Sequence, residues 1–281
     1  MTDNPQSPLL GDNGKAPVTH TGSKPGKATT PMLAVKGLMA SDEYVKQITN
    51  YFRGDKKEAM AFLTSSIEYI RRVPKLLECN HQSLLSSLMI SAQFNFMPSG
   101  VSGEAYIIPY ASEAKFQIGY QGWVTLIWRT KQLKSLKAVI VYENDEFRYE
   151  EGLTTILEHT PTKFGKKKGE PVGVYTVAET TAGGKLFKVM SKEEIMTIKE
   201  LSKAKNSKES PWNSDKDPEL WMWKKTCLIQ LIKLLPKTKE IRTALEEDFA
   251  GEGLEKPALD AGGVAVGRAI HNTEEDDGNS F

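Results

Sequence analysis

Apolar residues between positions 44 and 92 recur at helical spacing. Tyr44, Val45, Ile48, Tyr51 and Phe52 fall at i, i+1, i+4, i+7 and i+8, behind Ser41 and Asp42 as candidate caps. Met60, Leu63, Ile67 and Ile70 repeat the stripe until Pro74, which cannot continue a helix. A third helix is predicted from near Asn80, carrying Leu84, Leu85, Leu88, Met89 and Ala92. The stretch from Met97 to Gly103 is rich in turn formers and closes this helical region.

The period then changes to two. Glu104–Tyr110 and Lys115–Tyr120 read as a hairpin around the loop Ala111–Ala114, and Gly119-Tyr120-Gln121-Gly122 leads into a short helix with Trp123, Leu126, Ile127 and Trp128. Further strands are predicted at Leu136–Tyr142, Phe147–Tyr149, Thr154–His159, Val172–Val177 and Lys185–Met190. Ser191 and Glu194 form a capping box for a helix bearing Ile195, Ile198 and Leu201. Asp217 as N-cap and Pro218 at the first helical position predict the last major helix, with Leu220, Trp223, Cys227, Leu231 and Leu234 on its apolar stripe. Helices, a meandering antiparallel sheet and helices again make an α+β fold.

The ends differ from this body. Residues 1–33 hold nine Gly and Pro and no aromatic residue, which predicts a disordered arm. Residues 246–281 are acidic and Gly-rich and read the same way, so the chain divides into an arm (1–33), a core (34–248) and a flexible acidic tail (249–281). Leu254, Leu259, Val264 and Ile270 give the tail the means to order on a partner.

Charge sharpens the division. The net charge of +1 conceals ten acids and two bases in residues 246–281, a net of −8. The arm carries three bases and two acids, which leaves 32 bases and 24 acids, a net of +8, for residues 34–245. A basic body with an acidic tail points to a polyanionic ligand. No uninterrupted apolar run exceeds five residues (Ala138–Tyr142 is one), so neither a membrane span nor a signal peptide is expected. Two distant cysteines, Cys79 and Cys227, fit a reducing cytoplasm and buried thiols.

Several chemistries are absent. Each Gly-Lys pair (14–15, 26–27, 165–166, 184–185) lacks the following Ser or Thr of a phosphate-binding loop, so no ATP-driven motor and no cofactor is expected. The four histidines have no partner at metal spacing. Glu104, Glu143, Asp145 and Glu146 near strand ends keep a metal-dependent nuclease as the alternative, although acids beside Lys137 and Arg148 also simply solvate strand ends.

Bases alternate with aromatics in the strand region. Lys115, Gln117 and Gly119 share one face of a strand whose other face is Phe116, Ile118 and Tyr120, and Lys188 points opposite to Phe187 and Val189. The turn before the Tyr120 helix offers backbone N–H groups to an anion. The densest basic run, residues 163–169, is flanked by glycines and is expected to be a mobile loop.

These residues also carry a resemblance. Pro98-Ser99-Gly100-Val101-Ser102-Gly103-Glu104-Ala105-Tyr106-Ile107-Ile108-Pro109-Tyr110, then Phe116-Gln117-Ile118-Gly119-Tyr120-Gln121-Gly122, resembles the signature of the RecT family of phage single-strand annealing proteins. Val141 to Phe147, Trp223-Lys224-Lys225-Thr226 and Lys233-Leu234-Leu235-Pro236-Lys237 extend it, so that it covers roughly Val35 to Asp248. The resemblance implies a β-β-β-α annealing core and ATP-independent pairing of single-stranded DNA through an annealed duplex intermediate. It also implies a homo-oligomeric ring or helical filament, a partner exonuclease and a host single-strand-binding protein. Candidate DNA contacts, from signature and charge together, are Lys115, Gln117, Tyr120, Gln121, Arg129, Lys131, Lys137, Arg148, Lys185, Lys188, Lys224, Lys225 and Lys237.

Overall fold

A computed structural model describes residues 30–252, apart from 99, 100, 154, 203, 204, 207–209, 214 and 216. Four helices come first: α1 (Pro31–Met39), α2 (Asp42–Tyr51), α3 (Lys56–Arg72) and α4 (His81–Gln93), with a short 3-10 turn at Pro74–Glu78 before α4. Each of the four begins where a side chain satisfies backbone N–H groups. Thr30 Oγ1, Ser41 Oγ, Asp55 Oδ1 and Asn80 Oδ1 accept from the first turns of α1, α2, α3 and α4. Val35, Ile48, Phe62, Ile70, Leu84 and Leu88 are fully buried between them. Tyr51 and Met60, placed on the apolar stripes by spacing, are instead 40% and 54% exposed, on the outer edges of their helices.

Pro31, Met32 and Leu33 open α1, so a packed helix begins inside the segment expected to be a disordered arm. Val35 and Met39 anchor it to the core, which the Gly and Pro content of the preceding residues obscured. Residues 1–29 lie outside the described residues, as do 253–281 of the acidic tail, whose residues 246–252 continue a helix.

Among the described residues seven antiparallel strands follow, divided into three small sheets. Strands β1 (Ala105–Tyr110) and β2 (Glu113–Ile118) form the predicted hairpin, closed by a tighter turn than expected, with Ala111 at φ 51°. Helix α5 (Tyr120–Arg129) comes next, then β3 (Leu133–Tyr142). The hairpin β4 (Glu146–Glu150) and β5 (Ile156–Thr160) precedes β6 (Pro171–Thr180) and β7 (Lys185–Ser191). The long strands pair in the order β3-β6-β7, which leaves β6 central, with Gly173–Thr176 and Ala178 buried.

Helix α6 (Lys192–Leu201) starts at the predicted Ser191–Glu194 capping box. Helix α7 (Trp221–Ile232) starts later than the Asp217–Pro218 signal implied. Asp217 does cap it, but from outside: its carbonyl accepts from Leu220 N–H (3.0 Å) and Oδ2 accepts from Met222 N–H (2.9 Å). Leu220 sits between them at φ 56°, a left-handed conformation costing about 1–2 kcal/mol that these two hydrogen bonds hold in place. Helix α8 (Lys239–Glu252) is the last of the described elements.

Two elements tie the packing together. The inner face of the β1–β2 hairpin contributes Ile107 and Ala114 to the N-terminal helical core, and Ala105, Phe116 and Ile118 to a second core under α5. Helix α7 contributes Leu228, Leu231 and Ile232 to that second core, and Trp223 and Cys227 to a third against Val174, Met190 and Ile195. The hairpin and α7 therefore hold the position of everything between them.

Candidate nucleic-acid interface

Gly119 and Gly122 of the signature stand where backbone meets backbone. A Cβ on Gly119 would lie 2.1 Å from the Gly103 carbonyl oxygen, and one on Gly122 would lie 2.2 Å from the Glu104 carbonyl oxygen. Gly103 has φ +68°, which side-chain-bearing residues rarely adopt. Gly119 N–H donates to the Glu104 carbonyl (2.9 Å), so the start of α5 is fastened directly onto the chain entering β1. The Tyr106 ring closes over this contact, 2.8 Å from where a Gly119 Cβ would be.

Gly119 caps α5 without any side-chain hydrogen bond, so the first N–H groups of this helix have no side-chain acceptor there. Such a terminus carries partial positive charge and suits an anionic oxygen. Beside it the Tyr120 and Trp221 rings meet at 5.1 Å, and Lys224 Nζ lies 4.0 Å over the Trp221 ring. Trp221 is 37% exposed and Gln121 is exposed. Burial pushes the Tyr120 hydroxyl above its ordinary pKa, so at neutral pH it stays a neutral donor. An aromatic pair, an ammonium and a helix N-terminus on one surface can hold a base face and a phosphate together.

The outer face of the β1–β2 hairpin adjoins this platform through Tyr106. Cross-strand pairs Tyr106–Gln117, Ile108–Lys115 and Tyr110–Glu113 populate it. The burial of β2 alternates as the sequence predicts: Phe116 and Ile118 are buried, Lys115 and Gln117 partly exposed.

Comparison with known proteins gives this geometry its context. Residues 60–258 match the model of the RecT family. The chain is 36% identical to Protein RecT of Escherichia coli strain K12 over 188 residues, 64% of this chain and 67% of that protein. It is 27% identical over 138 residues to the uncharacterized protein YqaK of Bacillus subtilis strain 168, 49% of this chain and 46% of the relative. The chain belongs to the RecT family. It is thereby a single-strand annealing recombination protein, not an enzyme.

On this RecT-family chain the structure brings together Tyr120, Gln121 and Lys224, with Lys115 and Gln117 on the adjoining hairpin face. Lys115 Nζ lies 3.9 Å from Glu113 at the surface, where such a pair contributes little, and Lys224 Nζ, on a side chain 17% exposed, lies 3.9 Å from Glu219. Sequence reasoning missed Trp221. It lies off the buried stripe of α7, which was the available signal that this ring faces outward.

Other candidates are placed elsewhere. Lys137 and Lys185 lie on the β3–β6–β7 face that also bears Val177 and Phe187, while Lys188 lies on the opposite, α7-facing side. Lys131, at φ 57°, is exposed in the turn after α5, and exposed Lys237 donates to the Lys233 carbonyl (2.9 Å).

Three candidates have other partners in the fold. Lys225 is 4% exposed and pairs with buried Asp248 at 3.1 Å, because its position on α7 faces inward; it is not placed to reach a phosphate. Arg129 donates to the Phe94 carbonyl (2.6 Å), pairs with Glu240 (3.2 Å) and lies 5.1 Å over the Phe96 ring, so it fastens α5 to the end of α4. Arg148 pairs with Glu150 (2.8 Å) on its own strand and with Glu158 (3.9 Å) across the β4–β5 pair, and stays 56% exposed.

The 163–169 loop is also tied down. Asn144 N–H donates to the Lys168 carbonyl (3.1 Å), Asn144 Nδ2 to the Lys167 carbonyl (3.0 Å), and Lys168 lies 5.1 Å over Tyr142.

Three of the four acids that kept a nuclease in view have other partners. Glu104 accepts from Thr125 Oγ1 (3.0 Å), and Glu143 accepts from Glu170 N–H (3.0 Å). Asp145 is buried and accepts from Tyr142 N–H (2.9 Å), from Thr162 N–H and Oγ1 (2.7 Å each) and from His159 Nε2 (3.1 Å). Burial works to raise its pKa, but these hydrogen bonds win and hold it well below the usual carboxylate range. Among the described residues no group of three or more His, Cys, Asp or Glu could hold a metal ion.

Proposed function

We propose that this chain binds single-stranded DNA without sequence preference and anneals it to a complementary strand without ATP, in phage recombination inside the bacterial cytoplasm. The observation that carries the reading is the Tyr120–Trp221–Lys224 stack beside the N-terminus of α5, whose cap Gly119 offers no side-chain acceptor. A stacking ring accepts any base, and an ammonium with backbone N–H groups accepts any phosphate, so the sequence test is left to base pairing. The hairpin residues Lys115 and Gln117 extend the path along the same surface, and the exposed Lys131, Lys137, Lys185 and Lys237 supply longer-range attraction.

Subunits assemble as a ring or helical filament, so that one platform per subunit repeats along the strand. The acidic tail serves as a regulatory or partner-binding segment, toward a companion exonuclease or the host single-strand-binding protein. Among the described residues no helix is long and apolar enough to cross a membrane, so no membrane step enters this reading.

The test adds two labelled complementary oligonucleotides in sequence, without ATP, and follows duplex formation together with subunit assembly. Accelerated pairing with neither strand shortened is expected. Strand shortening in a divalent metal would establish the nuclease instead, and binding without acceleration would reduce the protein to a packaging role.

A further inference from the structure

Lys225 and Asp248 form a buried ion pair, 4% exposed each, with 3.1 Å between Nζ and Oδ1. Asp248 belongs to α8 and Lys225 to α7. The same Oδ1 accepts a third group, the backbone N–H of Ile118, at 3.2 Å. Ile118 is the last residue of β2 and immediately precedes Gly119, the N-cap of α5. One carboxylate oxygen therefore joins two C-terminal helices to the turn from which the anion-accepting end of α5 begins.

We propose that Asp248 and Lys225 are positioning residues for DNA binding, acting through Ile118 N–H rather than by touching DNA. The inference rests on the proposed platform at Tyr120, Trp221 and Lys224. Its physical content is a division of labour. Lys225 neutralises Asp248, which the interior would not otherwise tolerate as a charge, and Asp248 fixes the height of the β2–α5 turn. Lys224, the preceding residue, stands over Trp221 on the outer side of the same helical turn. A shift of α7 moves both lysines, so the clamp also sets the spacing between the ring platform and the α5 terminus. A phosphate contact and a clamp predict different salt behaviour: losing a contact on a single strand flattens the slope of log affinity against log salt by about 0.7. Losing a clamp lowers affinity with the slope unchanged.

The experiment compares full-length double variants binding to labelled oligothymidylate over a range of salt. Lys225→Met with Asp248→Asn removes both charges but keeps a side-chain carbonyl for Ile118, and should bind within about threefold of the parent chain. Lys225→Met with Asp248→Leu makes an apolar pair without an acceptor; the buried Ile118 N–H then lacks its partner, so the variant should melt somewhat lower, bind about tenfold more weakly and keep the parent salt slope. Asp248→Glu is the variant to use if the Leu variant does not fold. It keeps the charge but displaces the oxygen by one methylene, and should weaken binding with the slope again unchanged. Amide exchange across residues 117–122 should accelerate in the weakened variants and stay unchanged in α3. Parent-like affinity in both the Leu and Glu variants would overturn the proposal, as would a slope flattened by about 0.7 on losing Lys225. Failure of the parent chain to bind oligothymidylate would instead refute the proposed function.

Discussion

The α carbon of Gly119 faces the carbonyl oxygen of Gly103 so closely that a methyl group between them would lie 2.1 Å from that oxygen. The obstacle is backbone fixed by the β1–β2 pairing and by the Gly119–Glu104 hydrogen bond, so it cannot yield as a flexible side chain would. Gly119→Ala should therefore destabilise the fold by about 3 kcal/mol or more, lowering the melting temperature by about 6–12 °C. Calorimetry checks this; Gly152→Ala, where a Cβ meets nothing within 4 Å, is the control and should melt with the parent.

Trp221→Ala should lower single-strand affinity by about 1–3 kcal/mol, the usual loss for one base stack, at every salt concentration. Trp221→Phe keeps a ring and should recover part of the loss. Equal binding by the Ala and parent chains would take Trp221 out of the site.

Lys224→Gln and Lys115→Gln should each weaken binding to all sequences alike and flatten the salt slope by about 0.7. Gln117→Ala should leave the slope unchanged, since no charge is lost. The measurement is a salt titration of fluorescence anisotropy, and a Lys115 variant with the parent slope would confine the contact to the α5 side.

Asp145 ties the start of the β4–β5 hairpin to Thr162 and His159, whose Nδ1 lies 3.1 Å from the Tyr175 hydroxyl on the central strand. Its pKa is lower in the folded chain than in the unfolded one, so its contribution is fully present above the unfolded value of about 3.9 and is lost as pH falls through the folded value. Asp145→Asn should cost about 3 kcal/mol at neutral pH, and the gap to the parent should narrow only below about pH 4. Denaturant titrations at several pH values check the sign; a gap that widened in acid would contradict it.

Truncation should separate helix from tail. A chain ending at Glu252 keeps Asp248 and should anneal as well as the parent, or bind single strands more tightly for want of competing acids. A chain ending at Glu247 loses the Asp248 carboxylate, leaves Lys225 buried without it, and should fold poorly. Annealing assays on the two truncations, with circular dichroism, decide this.

Much of the fold was legible because its signals are local. Asn80 capping α4, the Ser191–Glu194 box and the alternation of β2 depend on residues within a few positions of one another. The start of α7 was not legible from Asp217 and Pro218, because a left-handed Leu220 intervenes and only the folded turn compensates its strain. The candidate site divides the same way. Tyr120 and Gln121 follow from the glycine pattern, but adjacent lysines 224 and 225 differ only in which side of α7 packs against α8. That decision is made by Asp248, 23 residues farther on. Arg129 reads as a surface cation until the Phe94 carbonyl and Phe96 ring are beside it.

The Gly103–Gly119 contact has a consequence for redesign. It joins two stretches of main chain, so it carries no information about side chains and asks none of them to stay. The residues on the hairpin's outer face at 106, 108, 110, 115 and 117 stand on an inner face of different residues, which holds the strands in register. Positions 108, 110, 115 and 117 can therefore be randomised as a library for strand preference or salt tolerance while the mounting beneath them stays the same.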